Sequence, residues 1–159
     1  MLKKIYNEVT REWDTSVEEA LKSFIRLPAL SPDFDKKWEE NGVLLKALEE
    51  AKAWAEKQGI KGLRCEIIKD DGFTPCLFIE VDATSDKKFE RSVFFYGHLD
   101  KQPPNEGWDP DKSAWEPVIQ NGRLYGRGAV DDRVVMVEHQ TGIAHERRLL
   151  RVEIWMHFI

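Results

Sequence analysis

Two segments of this chain hold residue types that can do chemistry together: Gly97-His98-Leu99-Asp100 and, further on, Gly126-Arg127-Gly128-Ala129-Val130-Asp131-Asp132. An imidazole and separated carboxylates are donors that a hydrolytic zinc site takes. Side chains alternate along an extended chain, so His98 and Asp100 fall on one side. Asp100 can then accept one ring N–H of His98 and leave the other nitrogen for an ion, orienting the imidazole rather than ligating. Asp131 follows a glycine-rich turn, where the backbone can bend tightly and carry a carboxylate to the same point. Its two oxygens could bridge two cations, which lie roughly 3.5–4 Å apart in two-metal hydrolases. Each piece also has a plainer meaning. His-x-Asp is a common surface pair, Asp131-Asp132 suits a helix N-cap, and Gly126-x-Gly128 suits a simple turn. Their order, after a strand-like run, is what points to a site.

The surrounding sequence predicts the elements that position these residues. Ser92 to Tyr96 is a β-branched and aromatic run without alternation, predicting a strand buried on both faces with the motif at its carboxyl end, where open α/β sheets place ligands. Upstream, Ser16 and Glu19 have capping-box spacing. Val17, Ala20, Leu21, Phe24 and Ile25 then form an apolar helical stripe that Pro28 stops. A second helix is predicted over roughly Lys36 to Gln58, with Trp38, Leu45, Leu48, Ala51 and Ala55 on one side and Gly59 as its stop. Leu63 to Ile67 alternates as a half-buried strand, Asp71-Gly72 marks a turn, and Cys76 to Val81 supplies the next strand. Thr84 to Lys88 reads as a polar loop. Asn121-Gly122, between Val118-Ile119 and Arg123-Leu124-Tyr125, signals a hairpin that would return Asp131 toward His98. Trp108 and Trp115 are expected to pack over the connecting loop rather than line a pocket, and Lys101 is expected to face solvent.

From Tyr96 to Asp132 the chain carries Gly97-His98-Leu99-Asp100-Lys101-Gln102-Pro103, Gly107-Trp108-Asp109, Trp115-Glu116-Pro117 and Gly122-Arg123-Leu124-Tyr125-Gly126-Arg127-Gly128-Ala129. This stretch resembles the co-catalytic zinc metallopeptidase family of carnosinase-like dipeptidases, aminoacylase, carboxypeptidase G and succinyl-diaminopimelate desuccinylase. The likeness extends over the family's amino-terminal part, and the Gly-Trp-Asp segment resembles the carnosinase-like members most. It implies an α/β fold of zinc-exopeptidase type, with a mixed sheet flanked by helices. It also implies hydrolysis of a dipeptide or N-acyl amino acid at two zinc ions, with manganese or cobalt as substitutes. By the same resemblance His98 would bind one metal, Asp131 would bridge both, Asp100 would be the catalytic-site acid behind His98, and Asp132 would form the peptide after the bridging ligand.

The departures from the family pattern are equally specific. The family continues into a helix of small residues and a strand ending in Glu-Glu, which supplies a general base and a ligand. Here Glu18-Glu19, Glu39-Glu40 and Glu49-Glu50 all lie upstream, and Ile154-Trp155-Met156-His157 stand where the acidic pair is expected. The later ligands and the lid or dimerisation domain have no counterpart, which leaves oligomerisation open. The expectation is an incomplete catalytic domain: metallopeptidase scaffold over residues 1–132 and a divergent or truncated tail over 133–159. Weak metal binding and little peptidase activity in isolation would follow. Two alternatives stand beside it. One is a catalytically inactive fragment or partner-dependent module; the other is a single-zinc domain using His98, Asp131 and a tail histidine, from His139, His145 and His157.

Composition narrows the field further. With 159 residues, 42% hydrophobic and 33% charged, the chain can bury one core. A formal charge of -5 and the lack of a basic stripe argue against nucleic acid as a partner. No apolar run approaches the ~18 residues of a membrane span, and Met1 to Trp13 has no apolar signal core, so a cytoplasmic protein without membrane partners is expected. Cys65 and Cys76 read as two buried thiols of a reducing compartment, with a disulfide across a hairpin as the alternative.

Overall fold

The computed structural model describes residues 2–83, 92–131 and 151–157, the last segment by its backbone and the Met156 side chain. Leu2–Glu12 (α1) runs through a π-helical turn, Trp13–Val17, into Glu18–Arg26 (α2). The expected start at Ser16 is therefore absent: the helix passes straight through, and no side-chain cap bond forms. Residues 2–15 contain neither glycine nor proline to interrupt it. The Ser16 hydroxyl instead accepts the Trp54 Nε1–H at 3.0 Å. The stripe itself forms as expected, with Val17, Leu21, Phe24 and Ile25 buried. Leu27 ends α2 at φ -81° and ψ 118°, the extended conformation favoured before a proline.

The predicted second helix is divided. Gly42, at φ +67°, separates Trp38–Asn41 (α3) from Val43–Lys57 (α4). A left-handed residue cannot continue a right-handed helix, so the chain restarts, with the Asn41 side-chain oxygen accepting the Val43 N–H at 2.9 Å. Restarting rotates the stripe. Leu44, Ala47, Leu48, Ala51, Trp54 and Ala55 are buried, whereas Leu45 is half-buried.

The strands Leu63–Ile68 (β1) and Cys76–Val81 (β2) pair antiparallel, and Ser92–His98 (β3) lies at the far side of the same sheet. Between β2 and β3 runs Arg151–His157 (β6), antiparallel to β2 and parallel to β3, giving the order β1-β2-β6-β3. This is the mixed sheet of an α/β fold. Helix α4 packs on β1 and β2, and Phe24, Leu48, Leu77, Ile79, Leu99 and Met156 share one core. A separate hairpin joins Val118–Gln120 (β4) to Arg123–Tyr125 (β5), with Asn121 and Gly122 at φ +53° and +71°. Two successive positive φ values are what a two-residue Asn-Gly turn requires.

Burial of β3 differs from expectation. Phe94 and Tyr96 are 55% and 51% exposed, while Val93 and Phe95 are half-buried. Among the described residues β3 is covered on one face only, and an unbroken apolar run hides the alternation that would have shown it.

Cys65 and Cys76 are both free. Register pairs Cys65 with Ile79 and Cys76 with Ile68, so the two thiols do not face each other. Burial pushes the Cys65 thiol from its ordinary 9.0 to about 11 and raises Cys76 as well. Because the folded value lies above the unfolded one, this contribution to stability is present below about pH 9 and is lost as pH climbs toward 11. Alkylation of Cys65 by iodoacetamide at pH 8 is expected to be several-fold slower than that of an unfolded-peptide thiol. Mass spectrometry showing equal rates would remove the burial argument.

Candidate metal centre

The carboxyl end of β3 is fixed by the residue after the motif. Lys101 N–H donates to Ala29 O at 2.8 Å, and Ser31 N–H donates back to Lys101 O at 3.0 Å. The Lys101 ammonium donates to the carbonyls of Phe24, Ile25 and Leu27 and lies 3.9 Å from the centre of the Phe24 ring. These carbonyls sit at the end of α2, where helical acceptors lack partners and the helix dipole is negative. Lys101 is 3% exposed, which corrects the expectation that it faces solvent. A buried ammonium is tolerable here because three carbonyls replace its water.

The glycine-rich turn closes on the same helix end. A Cβ on Gly126 would lie 2.5 Å from Ile25 Cγ2, and one on Gly128 2.9 Å from Lys101 Cε and 3.0 Å from Phe24 Cε1. Gly128 also has φ +84°, so close approach and backbone conformation both exclude a side chain. Gly128→Ala is expected to cost about 1–3 kcal/mol of stability. An unchanged denaturation midpoint would contradict this tight seating. Arg127 N–H donates to Ala114 O at 2.8 Å and Ala129 N–H to Gly126 O at 3.2 Å, which sets the path that leads to Asp131.

His98 is reached from both sides. Its Nδ1 lies 3.3 Å from Asp100 Oδ1 and 3.3 Å from the Asp100 carbonyl oxygen, and its Nε2 lies 3.4 Å from Asp131 Oδ1. Asp100 is buried, whereas the Asp131 side chain is 79% exposed. Two ligands at 2.0–2.1 Å from a tetrahedral ion are about 3.3 Å apart, so Nε2 and Oδ1 stand at the separation of donors sharing one ion. The donor set, one imidazole and one carboxylate, suits zinc, manganese or cobalt. Among the described residues no group of three or more such side chains gathers around a point.

His98, Asp100, Arg127 and Asp131, with Ser31 and Phe34, line a cavity of about 270 Å³. The three predicted site residues thus meet at one cavity. Arg127 and Lys101 were not singled out as site residues in the sequence; the glycines on either side of Arg127 were the available signal. Trp108 anchors its loop, its Nε1–H donating to Pro104 O at 2.7 Å, and also borders a neighbouring cavity. The parallel register of β3 and β6 pairs His98 with His157. Asp132, His139, His145 and the Thr84–Lys88 loop lie outside the described residues.

The profile of peptidase family M20/M25/M40 matches residues 94–154, the segment that holds both motifs. A succinyl-diaminopimelate desuccinylase of Acidiphilium cryptum is 57% identical over 37 residues, 23% of this chain and 9% of that protein. The Beta-Ala-His dipeptidase of Mus musculus is 41% identical over 61 residues, 37% of this chain and 11% of that protein. The crystal structure of human carnosine dipeptidase 1 superposes with a TM-score of 0.74 at 20% identity, over 99% of this chain and 34% of that one. The fold is α/β and resembles that solved structure. The chain is related to the M20/M25/M40 peptidases through residues 94–154, and it spans about a third of the length of that solved relative.

Proposed function

We propose that this chain carries part of the active centre of a metal-dependent peptidase that cleaves the peptide or amide bond of a dipeptide or N-acyl amino acid. The observation that carries the proposal is the 3.4 Å approach of His98 Nε2 to Asp131 Oδ1, at a cavity that opens beside them. A zinc ion held there would supply a polarised carbonyl and a water ionised near neutral pH. His98 and Asp131 would be its ligands, with the second Asp131 oxygen free for a second ion. Asp100 would fix the ring orientation and tautomer of His98, as carboxylates behind ligating histidines do. Residues 1–132 would form the scaffold and 133–159 the divergent part. No helix among the described residues is long and apolar enough to cross a membrane. Together with two free thiols, that favours a cytoplasmic setting.

With two convincing ligands, the isolated chain should bind zinc weakly and hydrolyse dipeptides slowly or not at all. Assay of the purified chain with added zinc or manganese tests this. Turnover that needs no metal and survives chelation would overturn the proposal; metal-dependent turnover at an ordinary enzyme rate would show that the site is completed within the chain. A single-ion site completed by His157 is favoured by its register with His98 on a neighbouring parallel strand, about 4.8 Å away. His157→Ala would then weaken zinc binding about as much as His98→Ala does. If zinc binding is unchanged in His157→Ala, that completion is excluded.

A further inference from the structure

We infer that Phe34 is a specificity-determining residue of this site, and that the substrate carries an apolar group beside the bond presented to the ion. This deepens the proposed function and rests on it for the position of the ion. Phe34 lines the cavity that contains His98 and Asp131. Among the described residues it is the one apolar side chain there; the others that line the cavity are polar or charged, apart from Gly128, which has no side chain.

An exposed apolar residue on a convex surface needs no explanation. Phe34 is 50% exposed, but it stands in the wall of a concave space, across from the imidazole and carboxylates. Ligand cavities pair apolar contact with a few placed polar groups, and here the apolar share falls to one ring. That ring has a fixed base. Ser31 N–H donates to Lys101 O at 3.0 Å, and Ser31 O accepts the N–H of Phe34 at 2.8 Å and of Asp35 at 3.0 Å. The turn is thereby tied to the segment that follows His98 and Asp100. On its far side the Asp35 carboxylate accepts the Lys37 N–H at 2.9 Å and a side-chain N–H of Asn41, which ties it to α3. With its backbone held at both ends, Phe34 meets a ligand without the cost of ordering a loop. A charged or hydrated group against the ring would gain nothing, whereas an alkyl or aromatic group would take both surfaces out of water.

Three acids that share one carboxylate and one amide test this: N-acetylglycine, N-acetylleucine and N-hexanoylglycine. The last two are isomers that place the added apolar carbons on opposite sides of the amide bond. Each is titrated calorimetrically into the full chain, with and without added zinc. At least one isomer should bind the native chain about tenfold tighter than N-acetylglycine, and which one tells the side that Phe34 reads. Phe34→Ser should erase that preference, and Phe34→Leu, which keeps an apolar wall, should retain most of it. Circular dichroism and zinc content are read on every sample, so that misfolding or loss of the ion is seen separately. No preference for either isomer in the native chain, or an unchanged preference in folded Phe34→Ser, overturns the assignment. If the native chain takes up no zinc, the metal site fails on its own, and the preference measured without zinc still decides the role of Phe34.

Discussion

Lys101→Met is expected to destabilise the chain by about 3 kcal/mol, more than any surface substitution, and to lower its melting temperature by about 6–12 °C. The methionine keeps an apolar stem against Phe24 but removes the ammonium, which takes this donor from the carbonyls of Ile25 and Leu27 and leaves that of Phe24 with the Leu27 N–H. Lys101→Arg should recover only part of the loss, because a planar guanidinium cannot converge on three carbonyls as an ammonium does. The effect should reach the site. Lys101 follows Asp100 directly, and its stem supports Gly128, so zinc affinity should fall in the folded fraction as well. Thermal and denaturant unfolding, paired with zinc titration, measure both. A Lys101→Met chain as stable as the native one would mean that the capping bonds contribute nothing net.

His98→Ala and Asp131→Asn are each expected to reduce zinc affinity by more than the roughly 10–100-fold that follows loss of a partner behind a ligand. Asp100→Asn should fall within that lower range, since Asp100 touches the ring and not the ion. This ordering is the signature of the arrangement: Asp131 reaches Nε2 while Asp100 reaches Nδ1. Asp131 is exposed, so its replacement should leave the melting temperature nearly unchanged, whereas buried Asp100 should cost stability too. Equilibrium dialysis with elemental analysis gives the affinities. An Asp100→Asn chain that loses more zinc than Asp131→Asn would reverse the assigned roles.

Much of this arrangement is written locally and can be read without coordinates. The period-two spacing of His98 and Asp100, the strands on either side of Asp71-Gly72, and the Asn121-Gly122 hairpin all depend on neighbours in sequence, and the structure shows each of them. What escaped is non-local. Ser16 has the right spacing for a cap, yet its hydroxyl is taken by Trp54, a residue 38 positions away. Lys101 looks like a surface lysine until α2 is seen to end beside it, and nothing in the local sequence announces that the carbonyls of Phe24, Ile25 and Leu27 converge there. Phe94 and Tyr96 read as buried because their run is uniformly apolar, but among the described residues only the opposite face of β3 is covered. The position of 151–157 between β2 and β3 likewise depends on a pairing between distant segments, which period and propensity do not encode.

X-ray absorption of the zinc-loaded chain tests the central claim most directly, because it reports the atoms bound to the ion. The arrangement described predicts nitrogen and oxygen neighbours at 2.0–2.1 Å with an imidazole signature that disappears in His98→Ala. A shell of water oxygens alone, or sulfur neighbours at about 2.3 Å from Cys65 or Cys76, would show that His98 and Asp131 do not form a metal centre.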